Sequence, residues 1–138
     1  MEAVIFVGLQ ASGKSTYYNV HYKMTHMHIN MDTLKSRSKE TKLINECLDK
    51  CYDFVIDNTN PSVESRKGYI EAAKSKGFKI KAIYFDIPFD VCKEQNSKRK
   101  AKVPPVALYT TRKKLIKPSL SEGFDDILTI TKENFLCD

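Results

Sequence analysis

Apolar positions along the chain fall into two rhythms that alternate from one end to the other. Ala3–Val7 is an unbroken apolar run stopped by Gly8, the pattern of a strand buried on both faces. Lys14 to about Lys23 reads as the helix behind the loop that this strand enters, and Met27–Asn30 as a short second strand. Thr41–Cys51 repeats apolar residues at helical spacing. Tyr52–Ile56 is another buried strand, ending in the turn-forming run Asp57-Asn58-Thr59-Asn60-Pro61. Ser62 opens a helix with Glu64 in its first turn and Gly77 just past its end. Lys79–Asp86 alternates and then turns apolar at Ala82-Ile83-Tyr84-Phe85, a further strand. Helices follow at about Phe89–Lys98 and Val106–Ile116, and Ile127–Thr131 is a last short strand. Repeated β-α units predict an α/β fold, with a mostly parallel sheet of about 4–5 strands and helices on both faces. No linker, internal repeat or low-complexity segment interrupts it, so residues 1–138 read as a single domain.

Composition adds three points. The chain has 138 residues, enough to bury a core without disulfides or metal, with 41% hydrophobic and 29% charged residues. Its net charge is +6, and position sharpens that figure: Lys98, Arg99, Lys100, Lys102, Arg112, Lys113, Lys114 and Lys117 follow one another with no acidic residue between them. Such a run is either a solvated helix face or a patch for phosphates. No apolar stretch approaches the roughly 20 residues that span a bilayer, and Met1–Val7 lacks the basic start of a signal peptide. Cys47, Cys51, Cys92 and Cys137 form no CxxC, and Cys47 and Cys51 sit one helical turn apart beside Leu43, Ile44 and Leu48, a core pattern. No carboxylate or cysteine completes a metal set near His21, His26 and His28. The expected location is intracellular, cytoplasmic or nuclear, with no membrane contact.

The chemistry starts at Gly8-Leu9-Gln10-Ala11-Ser12-Gly13-Lys14-Ser15-Thr16, which satisfies G-x-x-x-x-G-K-[ST] between a buried strand and a helix. Gly8 and Gly13 let the backbone curl so that successive N–H groups, from Gln10 through Thr16, point at phosphate oxygens. Lys14 places a mobile positive charge on the β- and γ-phosphates, and the Ser15 hydroxyl is a ligand for Mg²⁺. The expected cofactors are therefore ATP and Mg²⁺. Asp57 ends the strand Phe54-Val55-Ile56, where open α/β sheets hold their ligands, and is the second candidate Mg²⁺ residue; its other reading is a cap on the turn at Asn58. Asp32 follows Met27–Asn30 and begins a helix, where it suits an N-cap and equally a general base for an acceptor hydroxyl.

In combination these residues resemble the 5′-hydroxyl polynucleotide kinases of phage and of eukaryotic DNA and RNA end repair, from Val4 to about Ile130 and in the right order. Ile29-Asn30-Met31-Asp32 is similar to that family's acceptor-side segment, and Ile56-Asp57-Asn58-Thr59-Asn60-Pro61 to its D-N-T-N-P segment with Arg66 downstream. Asn96-Ser97-Lys98-Arg99 with Lys102-Val103-Pro104 resembles its short basic lid, and Pro118–Asp125 the P-x-x-x-E-G-F segment of eukaryotic members. The resemblance implies a P-loop kinase fold, Asp32 as the base that deprotonates a 5′-hydroxyl end of DNA or RNA, and Arg99 as a lid arginine on the ATP phosphates. Two positions depart from the pattern: Gln95 stands where the family has a first lid arginine, and Lys35 where it has an arginine for the acceptor phosphate. Lysine keeps the charge without the bidentate fork. No D-x-D-G-T motif occurs, so the phosphatase domain of many relatives is not expected here. The reading is transfer of the ATP γ-phosphate to a 5′-hydroxyl end. The alternatives are a kinase of a nucleoside or small metabolite on the same fold, and a nucleotide-binding module without catalysis.

Overall fold

A computed structural model describes residues 1–135; the cysteine at position 137 lies outside the described residues. Five strands, β1 (Glu2–Val7), β2 (Met27–Ile29), β3 (Phe54–Ile56), β4 (Lys79–Phe85) and β5 (Asp126–Ile130), form one sheet in the order β2-β3-β1-β4-β5. Every pairing is parallel, with Ala3 opposite both Phe54 and Ile80, which sets the register at the centre. Around it lie α1 (Lys14–His21), α2 (Met31–Leu34), α3 (Arg37–Lys50), α4 (Val63–Ser75), α5 (Phe89–Lys98) and α6 (Pro105–Lys114), with a 3₁₀ turn at Leu120–Glu122. The expected parallel α/β architecture is what the chain adopts.

The unbroken apolar run of β1 is explained by the two layers it divides. Ala3, Ile5 and Val7 face a core closed by Ile44 and Leu48 of α3 and Ile70 and Ala73 of α4. Val4 and Phe6 face the opposite way, against Tyr17 and Tyr18 of α1 and Phe85 and Ile130. Successive side chains of a strand point to opposite faces, so a strand covered on both sides has no polar positions to spare. A third, smaller cluster of Leu9, Cys92 and Leu108 seats α5 and α6 against the loop that follows β1.

Two helix starts differ from the sequence reading in a way that bears on the site. The helix read from Thr41 begins at Arg37, where the Ser36 hydroxyl accepts from the Lys39 N–H at 3.3 Å. Its first turn is polar, so the apolar rhythm starts a turn late. Asp32 does not cap its helix either. Asn30 does, its side-chain oxygen accepting from the Thr33 N–H at 3.2 Å, and Asp32 is the second residue of a four-residue helix ended by Lys35 in the left-handed conformation (φ 62°). No described helix is long and apolar enough to cross a membrane.

Candidate active site

The loop between β1 and α1 is shaped by two glycines that tolerate nothing larger. A Cβ on Gly8 would lie 2.9 Å from the Cβ of Phe85 and 3.0 Å from the Ser12 hydroxyl, and the Gly8 N–H donates to the Thr59 carbonyl at 3.1 Å. Gly13 has φ 94°, and the Phe135 ring lies over it, 2.5 Å from where a Cβ would stand. Ala11 also takes a left-handed conformation (φ 60°), so the loop alternates hand and curls around its own centre. Into that centre folds Lys14. Its Nζ donates to the Leu9 carbonyl at 2.7 Å and the Gly8 carbonyl at 3.3 Å. Burial pushes the ammonium down to about 8, against the opposing pull of Asp57; Arg99 adds to the depression and Asp32 opposes it. A cation held in this way gains by trading loop carbonyls for phosphate oxygens.

Behind Lys14, α1 carries Ser15, whose hydroxyl donates to Asp57 Oδ2 at 2.8 Å. Asp57 is 1% exposed, at the carboxyl end of β3. The same Oδ2 accepts from His28 Nε2 at 2.7 Å, while Oδ1 is buried without a partner. A hydroxyl and a carboxylate with an unused buried oxygen are the hard oxygen donors that Mg²⁺ selects, so the residues present fit that ion.

One cleft of about 920 Å³ joins these groups to the rest. It is lined by Gln10 through Thr16, by Asp32, Arg37 and Asp57, by Gln95 and Arg99, and by Phe135 among others. Its size suits a nucleotide-scale ligand. Arg99 follows the end of α5, with its Nε buried and unpartnered. Lid geometry comes from Asn96, which is buried and brackets the intervening loop: its amide donates to the Val103 carbonyl at 2.8 Å and accepts from the Val103 N–H at 3.1 Å. Gln10 donates to the Thr111 hydroxyl at 2.9 Å, tying the phosphate loop to α6.

The profile of a family described as an AAA domain matches residues 4–115. The chain belongs to that family. It is also 33% identical over 139 residues to a putative bifunctional polynucleotide phosphatase/kinase of Acanthamoeba polyphaga mimivirus, across 94% of this chain and 33% of that protein. A bifunctional polynucleotide phosphatase/kinase of Schizosaccharomyces pombe is 32% identical over 132 residues, 91% of this chain and 32% of that protein. The chain thus spans about a third of the length of these curated relatives. Among solved structures, Chaetomium thermophilum Kti12 in complex with ADP-AlF3 superposes with a TM-score of 0.72 at 14% identity, over 96% of this chain and 90% of that one, a likeness of fold. The similarity to polynucleotide kinases seen in the motifs extends over nearly the whole chain.

Not every residue of the AAA-domain site falls where its spacing suggested. Lys14, Ser15, Asp32, Asp57 and Arg99 meet in the one cleft. Lys35 does not line it; it is exposed at the end of α2. The cation that lines that wall is Arg37, whose Nη1 donates to Glu40 Oε1 at 2.9 Å and Tyr69 OH at 3.0 Å. Arg66 does not line the cleft. It is fully buried, pairs with Glu122 through Nε–Oε1 at 2.8 Å and Nη2–Oε2 at 3.0 Å, and donates from Nη1 to the Asn60 and Ile116 carbonyls. Spacing missed Arg37 and His28. For His28 a signal was present: His28 in β2 and Asn30 just past it are polar residues two apart, and both reach Asp57, the first its carboxylate and the second its carbonyl at 2.6 Å.

Proposed function

We propose that this chain is an ATP-dependent phosphotransferase that phosphorylates the 5′-hydroxyl end of DNA or RNA. The observation that carries the reading is the cleft in which the phosphate loop, the carboxylate of Asp32 in the first turn of α2 and the lid arginine Arg99 converge. The 33% and 32% identities to proteins named as polynucleotide phosphatase/kinases support the choice of acceptor.

In this reading the loop N–H groups and Lys14 hold the ATP phosphates, and Ser15 and Asp57 hold Mg²⁺. When bound, the ion neutralises charge between the β- and γ-phosphates. Ser15 keeps its proton in the bond to Asp57, which turns the hydroxyl lone pairs toward the cleft. Asp32 accepts the proton of the 5′-hydroxyl as that oxygen bonds to the γ-phosphorus, and the bond from the γ-phosphorus to the β–γ bridging oxygen breaks to leave ADP. Arg99 faces the phosphates from the lid, where a fixed guanidinium gains most as charge redistributes. Arg37 is the cation on the acceptor wall, suited by its planar fork to a phosphate of the acceptor strand. Lys100, Lys102, Lys113 and Lys114, all exposed around the lid, would hold further strand phosphates without regard to sequence.

The test is labelled ATP offered with 5′-hydroxyl DNA and RNA oligonucleotides, nucleosides and 3′-mononucleotides. Label is expected on oligonucleotide ends, absent with Lys14→Ala, and reduced by roughly 10²–10⁴ with Asp32→Asn while ATP binding persists. A preference for free nucleosides would make the chain a small-metabolite kinase, and tight ATP binding with no transfer to any acceptor would make it a binding module.

A further inference from the structure

The carboxylate of Asp57 is held from two sides by residues of different elements. Ser15 opens α1 and donates to Oδ2 at 2.8 Å; His28, from the middle of β2, donates from Nε2 to the same oxygen at 2.7 Å. A carboxylate only accepts, so the proton in the His28 bond sits on Nε2. The imidazole is itself fixed. It stacks on the Tyr18 ring with centroids 3.9 Å apart and planes 17° from parallel, and Tyr18 OH donates to the His26 carbonyl at 2.5 Å. Tyr18 follows Ser15 by three positions, so one face of α1 grips both ends of the arrangement. Ser15, Asp57, His28 and Tyr18 thus form a closed circuit across α1, β2 and β3.

This circuit has a conspicuous gap. Both donors fall on Oδ2, and Oδ1 is buried with nothing to accept from. An orphaned buried acceptor is costly in a folded protein, and a bound ion or its water would satisfy it. His28 does more here than stabilise a carboxylate, since by occupying Oδ2 together with Ser15 it fixes which oxygen is left for a ligand. Without the imidazole, only the Ser15 hydroxyl, itself a candidate Mg²⁺ ligand, holds Oδ2.

We propose that His28 is a positioning residue for the metal–nucleotide site: through Oδ2 it locks the Asp57 carboxylate so that Oδ1 is presented to Mg²⁺ or its water. The proposal rests on the reading of this cleft as a Mg²⁺–nucleotide site and is indifferent to the acceptor. Partners of this kind behind a metal-binding group typically change metal affinity about 10–100-fold.

The experiment measures ADP affinity of the whole chain by calorimetry with Mg²⁺ and with EDTA, for the wild type, His28→Leu and His28→Gln. The wild type is expected to bind ADP more tightly with Mg²⁺. His28→Leu should lose about tenfold or more of that Mg²⁺-dependent tightening while its affinity in EDTA changes by less than about twofold. His28→Gln, whose amide nitrogen can stand in for Nε2, should recover most of it. If His28→Leu keeps the full Mg²⁺ increment, or if both variants weaken ADP equally with and without metal, His28 only supports the fold and the proposal fails. Should His28→Leu not fold, a His28→Gln protein without the Mg²⁺ increment also overturns it, because the donor is then present without effect. A wild type with no Mg²⁺ increment at all overturns the metal-site reading itself, a different failure from a variant that behaves as the wild type.

Discussion

Lys35 and Arg37 are two residues apart, and only Arg37 lines the cleft. Lys35 ends α2 in a left-handed turn and is exposed, off the cleft wall. Arg37, in the first turn of α3, lines the cleft and is steadied by Glu40 and Tyr69. Arg37→Ala should therefore raise the KM for an oligonucleotide acceptor about tenfold with kcat nearly unchanged, whereas Lys35→Ala should shift it less than about twofold. The fold should tolerate Arg37→Ala, because buried Glu40 keeps the Tyr69 hydroxyl at 2.9 Å and the Asn58 amide at 3.0 Å. Steady-state kinetics on the two variants decide between them, and equal effects would return the acceptor role to Lys35. The same scale holds a point about Lys14. Burial pushes its ammonium down to about 8, and phosphate oxygens beside it would favour the charged form.

Among the elements, the lid has the plainest consequence. Gln95 in the last turns of α5 and Arg99 just past its end both line the cleft. The loop after α5 is held by the Asn96–Val103 pair, and α6 is anchored by the Gln10–Thr111 bond and by Leu108 packed with Leu9 and Cys92. The lid is thus tied to the phosphate loop, and the resemblance of Asn96 and Val103 to the polynucleotide-kinase lid has a structural cause. Gln95→Arg should raise kcat by about tenfold with little change in acceptor affinity, because a guanidinium responds to developing charge more strongly than an amide dipole. Arg99→Ala should lower kcat by roughly 10²-fold. The measurement is kcat at saturating ATP and oligonucleotide; silence of both variants would reduce the lid to a solvated basic helix. Part of the basic run already serves structure: the Arg112 guanidinium lies 4.1 Å from the centroid of the Phe89 ring.

Across the whole molecule, the least visible tie is Arg66 with Glu122, 56 positions apart. Their side chains are 0% and 5% exposed, so Arg66→Met leaves a buried carboxylate without its cation and should cost roughly 3–5 kcal/mol in urea unfolding. Removing the exposed pair Lys98–Glu94 should leave the urea unfolding curve nearly unchanged, since water and salt screen it. Equal costs would mean that burial is not what gives the pair its weight. This tie also shows where sequence reading stops. Strand β1, the curl of the phosphate loop and the start of α1 were legible because neighbouring residues specify them: an apolar run, two glycines that nothing larger can replace, and a helix behind them. The parallel sheet followed from repeated β-α units, and Asp32, Asp57 and Arg99, singled out from the motifs around them, all line the one cleft. Helix starts were less legible, because a polar first turn capped by Ser36 or Asn30 carries no hydrophobic rhythm. Only the tertiary structure decided that Arg37 rather than Lys35 faces the cleft, that Arg66 is scaffold, and that His28 stands behind Asp57. Each of those depends on which strands and helices lie side by side, and side-chain partners tens of residues apart leave no local period or spacing in the chain.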